Sequence, residues 1–136
     1  MQNKMLTGRI TTGLGKAAAF MNVEWANQAF YDILGQLPFP GTVNVKLSSN
    51  EDMKVWSCIK SVPGQLIQPP DPNWCKSFVY KAEISGKIKA AIILPDVKDY
   101  PDDQVELIAS ENVREKLSLQ DSDQVNIEIW VDGSLD

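Results

Sequence analysis

The sequence predicts a mainly β fold, a small closed barrel carrying two or three short helices. Three observations point there. Apolar and polar residues alternate over short runs, the period of a half-buried strand. Glycine, proline and serine–glycine turn signals punctuate those runs at short intervals. The 136 residues are enough for one domain with a real core, taken as residues 1–136, and only brief stretches carry the helical period.

The elements follow in chain order. Leu6-Thr7-Gly8-Arg9-Ile10-Thr11-Thr12 reads as a first strand running into Gly13-Leu14-Gly15. Ala19 to Trp25 reads as a weaker second strand. Ala26, Phe30, Ile33 and Leu34 form a helical apolar stripe, and Gly35 suits its C-terminal cap. Thr42 to Leu47 is β-branched and extended, and Asn50 to Ile59 holds a helical turn. Gln65 to Trp74 contains three prolines and reads as an irregular surface loop. Ser77 to Ile84 alternates well and ends in Ser85-Gly86, so Lys87 to Leu94 pairs with it as a hairpin. Val105 to Ala109 is a short apolar strand. Glu111 to Leu117 is a short helix capped by Ser110 or Asn112, and Gln124 to Val131 closes the chain as a strand.

Composition excludes several functions. There is no histidine, which removes Ser-His-Asp and Cys-His catalysis, so proton transfer falls to carboxylates, Lys, Tyr or water. Cys58 and Cys75 make no metal pattern, and a disulfide between them is not expected in a reducing compartment. A net charge of −5 without a basic stripe argues against nucleic acid as a partner. No apolar run is long enough for a bilayer, and no leader segment is visible, so a cytoplasmic location is the expectation. Small molecules are the expected partners, for a monomer or small homo-oligomer.

Pro38-Phe39-Pro40-Gly41-Thr42-Val43-Asn44-Val45 is the most informative segment. Prolines and a glycine set a stiff turn, and a strand starts at once. Residues two apart share a strand face, so Thr42 and Asn44 present a hydroxyl and an amide oxygen side by side. Neutral oxygens hold Mg²⁺ when phosphates supply the negative charge. Local hydrogen bonding at a strand start is the competing reading. Gly13-Leu14-Gly15-Lys16 is either a phosphate-cradling loop or a tight turn. Glu106, in an apolar strand, faces either solvent or a pocket where it would take a substrate hydroxyl's proton. Arg114, early in its helix, answers either a ligand phosphate or Glu111. Lys98, Asp99, Tyr100, Asp102 and Asp103 form a polar loop that reads as a metal cluster or as a solvated turn.

In this order the segments resemble the archaeal-type CTP-dependent riboflavin kinases, from about Leu6 to Ile129. The carrying motifs are Pro40-Gly41-Thr42-Val43-Asn44-Val45, Gly8-Arg9-Ile10 through Gly15, and Glu106-Leu107-Ile108-Ala109 with Val113-Arg114-Glu115-Lys116-Leu117. Leu119, Asp121, Asp123 and Val125 echo the family's closing Leu-x-Asp-Gly-Asp-x-Val, with Ser122 in place of its glycine. The resemblance implies a six-stranded cradle-loop barrel that transfers the γ-phosphate of CTP to riboflavin, giving FMN and CDP. It implies Mg²⁺ on Thr42 and Asn44, and flavin at Glu106 and Lys98. It places the nucleotide on Gly13, Leu14, Gly15, Lys16, Ala17, Ala18 and Ala19, and on Glu111, Asn112, Val113 and Arg114. Asn44 and Glu106 are then the residues closest to the chemistry. Departures are Ala17-Ala18-Ala19 where the family carries an acidic residue, a glycine and larger side chains, and Lys98 where it carries threonine. They leave a non-catalytic flavin- or nucleotide-binding module, or a kinase for another small alcohol, as the alternative functions.

Overall fold

A computed structural model describes residues 2–11, 24–39, 42–62, 64–67, 76–96 and 100–131. Seven strands and three helices run in the order β1 (Gln2–Thr11), α1 (Glu24–Leu34), β2 (Val43–Lys46), α2 (Asn50–Lys60), β3 (Gln65–Ile67), β4 (Ser77–Ile84), β5 (Ile88–Pro95), β6 (Gln104–Ala109), α3 (Val113–Lys116) and β7 (Gln124–Val131). The sheet order is β3-β4-β5-β6-β2-β1-β7, and β7 also pairs with β4. Six strands, β4-β5-β6-β2-β1-β7, therefore close on themselves, with all pairings antiparallel.

Closure is shared along β4. Its second half, Ala82 to Ile84, pairs with β7, whereas Ser77 to Val79 pair with β3 on the same edge. β3 thus covers a strand edge that the barrel leaves open, removing a template for unwanted pairing. This corrects the expectation of an irregular loop from Gln65 to Trp74: its first three residues are a strand, and residues 68–75 lie outside the described ones.

Alternation sorts the strand residues into two cores. Leu6, Ile10, Val45, Val105, Leu107, Ile92, Ile84, Ile127 and Ile129 fill the barrel interior. Val79, Ala91, Ile93 and Ile108 point outward and pack under Phe30 and Leu34 of α1. Burying each of those two α1 side chains is worth about 1.5–3 kcal/mol. Gly35 ends α1 with φ +77°, its N–H donating to the Tyr31 carbonyl at 2.8 Å. The strand expected over Ala19 to Trp25 is corrected where it can be seen, because Glu24 and Trp25 open α1, and residues 19–23 lie outside the described set.

The helical turn expected at Asn50 to Ile59 is a full three-turn helix. Ser49 caps it, its Oγ accepting the Asp52 N–H at 3.0 Å, and Lys60 in the last turn suits the helix dipole. Trp56 and Ile59 insert into the interior core, where Trp56 meets Tyr80 edge-on with centroids 6.1 Å apart. In the β4–β5 hairpin Ser85 and Gly86 both have positive φ, and Lys87 N–H reaches the Ile84 carbonyl at 3.0 Å. The turn twist thereby matches the strand twist.

Candidate functional site

Register builds the site. Asn44 on β2 lies directly opposite Thr11 on β1 and Glu106 on β6, and Glu106 lies opposite Ile93 on β5. Directly paired residues share a face. Thr11, Asn44, Glu106 and Ile93 therefore form one row across the outside of the barrel wall. Thr42 stands just before β2, two residues from Asn44.

Glu106 has no exposed surface, and every residue of β6 is buried. The solvent-facing reading of this carboxylate is thereby corrected. The interior takes Val105, Leu107 and Ala109, while α1 and its apolar cluster cover the outward face at Ile108. A buried carboxylate needs partners. Tyr100 supplies one, its Oη donating to Glu106 Oε1 at 2.9 Å. Burial, the Glu106 charge and that hydrogen bond together push the Tyr100 phenol well above its ordinary pKa. Tyr100 therefore stays a protonated donor throughout any working pH range. Beside it, Gln104 Nε2 donates to Asn44 Oδ1 at 2.9 Å, and Gln104 is itself buried.

At the end of the barrel where β2 begins and β6 ends, a pocket of about 200 Å³ opens. Phe39, Thr42 and Val43 form one wall, and Ala109 with Glu111, Asn112, Val113 and Arg114 forms the other. The segment before β2 is held against β6 by the Phe39 N–H, which donates to the Ala109 carbonyl at 2.8 Å. Asn112 caps α3, its Oδ1 accepting the Glu115 N–H at 3.2 Å. The fold thus brings Thr42 together with residues 111–114, which stand some 70 positions away in the chain.

Charges around this pocket are already engaged. Arg114 pairs with Asp121 at 2.6 Å, not with Glu111, and Glu111 pairs with Lys116 at 2.9 Å. Partly exposed pairs of this kind are worth about 0–1 kcal/mol, so an incoming phosphate can displace Asp121 from Arg114 at little cost. Of the loop's acidic residues Asp102 and Asp103 are described, and Asp99 lies outside the described residues. Asp102 pairs with Lys60 and Asp103 with Lys46, and no group of three acidic, His or Cys side chains among the described residues could hold a metal. Gly13 to Ala19 and Lys98 lie outside the described residues, as does Cys75. Cys58 is a free, exposed thiol. No helix among the described residues is long and apolar enough to cross a membrane.

Residues 10–129 match the model of the CTP-dependent riboflavin kinase family, whose description is "Domain of unknown function DUF120". The chain belongs to that family. A riboflavin kinase of Pyrobaculum islandicum is 35% identical over 131 residues, covering 93% of this chain and 61% of the relative. One of Methanobrevibacter smithii is 31% identical over 123 residues, covering 90% of this chain and 98% of the relative. One of Sulfurisphaera tokodaii is 29% identical over 136 residues, covering 96% of this chain and all of the relative. The chain thus spans about 60% of the length of the Pyrobaculum relatives it matches, and nearly all of the shorter ones.

Within this member of the CTP-dependent riboflavin kinase family, sequence reasoning missed three participants. Gln104 carried a signal: it is polar, two residues before Glu106 and therefore on its face. Tyr100 stood out only as part of an acidic loop, because its reach to Glu106 depends on how that loop folds back. Phe39 looked like turn punctuation, and its place on the pocket wall follows from pairing with Ala109.

Proposed function

We propose that this chain is a CTP-dependent riboflavin kinase, transferring the γ-phosphate of CTP to the riboflavin 5′-hydroxyl to give FMN and CDP. The observation that carries the reading is the joint placement of Glu106 and the Thr42 pocket. A fully buried carboxylate sits directly opposite Asn44, and Thr42, two residues before it, opens directly onto the pocket lined by residues 111–114. Family membership and the riboflavin kinases among its relatives support the acceptor. The family's name supports the nucleotide.

The site suits Mg²⁺ carried by nucleotide phosphates. Thr42 Oγ1 and Asn44 Oδ1 are neutral oxygens two residues apart, and Asn44 Oδ1 keeps a lone pair beyond the one taken by Gln104. Neutral donors are what a phosphate-bound Mg²⁺ with residual waters accepts. When bound, the ion offsets charge on the phosphates. In the proposed reaction Glu106 accepts the hydrogen bond of the attacking hydroxyl, then its proton, as the oxygen bonds to the γ-phosphorus. The bond from γ-phosphorus to the bridging oxygen breaks, and CDP leaves. Tyr100 holds the carboxylate in place. Arg114 offsets phosphate charge at the pocket rim. Positioning and electrostatics of this kind supply most of the acceleration in phosphoryl transfer, so the absence of histidine is no obstacle.

The test is direct. The protein is incubated with riboflavin, Mg²⁺ and each of CTP, ATP, GTP and UTP, and FMN is separated chromatographically. FMN with CTP above the other three supports the reading. Ligand-induced thermal stabilisation without FMN from any nucleotide would instead support the binding-module reading that Ala17-Ala18-Ala19 and Lys98 favour.

A further inference from the structure

We infer that Gln104 is a positioning residue for the Asn44 side chain, fixing which face of its amide is offered to the nucleotide-bound cation. The inference rests on the kinase reading and names a role that the family motifs leave unassigned.

An asparagine amide can turn over, exchanging an acceptor oxygen for an NH₂ donor at the same place. Only the oxygen serves a cation. Gln104 Nε2 donates to Asn44 Oδ1 at 2.9 Å, so turning over the Asn44 amide alone would set a donor against a donor. Gln104 is only 7% exposed, and water therefore has little access to replace the lost bond. The donor is anchored within β6, where Gln104 pairs with Lys46, two residues along β2 from Asn44. Asn44 in turn stands opposite Glu106, so one strand edge carries both the proposed base and the group that orients the proposed cation ligand. A buried polar side chain costs stability unless it is hydrogen-bonded, and Gln104 makes that bond to Asn44. Donors behind a metal ligand act by fixing its orientation, and their loss typically weakens metal affinity about 10- to 100-fold.

The experiment is calorimetric titration of CDP into the full chain, with and without Mg²⁺, for the wild type, Gln104→Met, Asn44→Ala and the double variant. Methionine keeps the unbranched shape and removes the donor. The expected result is about a tenfold or greater loss of the Mg²⁺-dependent gain in CDP affinity for Gln104→Met, with metal-free CDP affinity unchanged. In the Asn44→Ala background Gln104→Met should then have no further effect. A Gln104→Met protein with the wild-type Mg²⁺-dependent gain would overturn the inference, as would equal and additive losses in the two backgrounds. A wild type that binds no CDP under either condition would overturn the kinase reading itself and the inference with it. Circular dichroism melts of each variant separate loss of fold from loss of orientation.

Discussion

In the proposed reaction Glu106 is the proton acceptor, a carboxylate with no exposed surface, held by a phenol that burial keeps protonated. Glu106→Gln preserves the shape and the Tyr100 hydrogen bond but removes the proton acceptor. Turnover of riboflavin should fall about 10²- to 10⁴-fold while the melting transition stays close to wild type, which steady-state kinetics and calorimetry would check. Tyr100→Phe leaves the carboxylate without that donor and should cost about 1–3 kcal/mol in urea unfolding at pH 7. Its pH dependence has a defined sign. The folded phenol is raised above the unfolded value of about 10, so its contribution is complete below pH 10 and declines as pH rises further, at up to about 1.4 kcal/mol per pH unit. Unfolding free energies between pH 9 and 11 should therefore fall less steeply in Tyr100→Phe than in the wild type. An identical slope would contradict this account of the pair.

At the scale of elements, α1 turns the outer wall around Ala91, Ile93 and Ile108 into a second core. Phe30→Ala takes away the largest side chain of that cluster and should destabilise by about 3–5 kcal/mol, measured by urea unfolding. The strands were legible in the sequence because their alternation and turn residues are local signals. β4, β5 and β7 stand within a residue of where periodicity places them. What alternation could not convey is whether the outward face is wet. At β6 it suggested that Glu106 could face solvent, whereas the folded chain leaves it no exposed surface and brings Tyr100 to it. β3 was hidden for a similar reason, since three residues carry almost no periodic signal and the strand exists through its pairing with β4. Arg114 shows the same limit among charges. Chain proximity suggested Glu111, but the loop after α3 brings Asp121 to it.

Over the whole molecule, closure of the barrel turns distant segments into one site. β2 joins the site because it pairs with β1 on one side and β6 on the other, and the pocket exists because β2 begins where β6 ends. The sequence reads Thr42 and Asn44 as a pair on one strand face, and their neighbours as motifs in family order. Their convergence depends on closure, which no local pattern encodes. The central claim is that this outward face of β2 and β6 is a phosphotransfer site. It is tested most directly by measuring FMN formation from riboflavin, CTP and Mg²⁺ with the wild type and with folded Asn44→Ala protein. The account predicts FMN from the wild type and its loss in Asn44→Ala. An Asn44→Ala protein that turns over at the wild-type rate, or a wild type that makes no FMN, would contradict it.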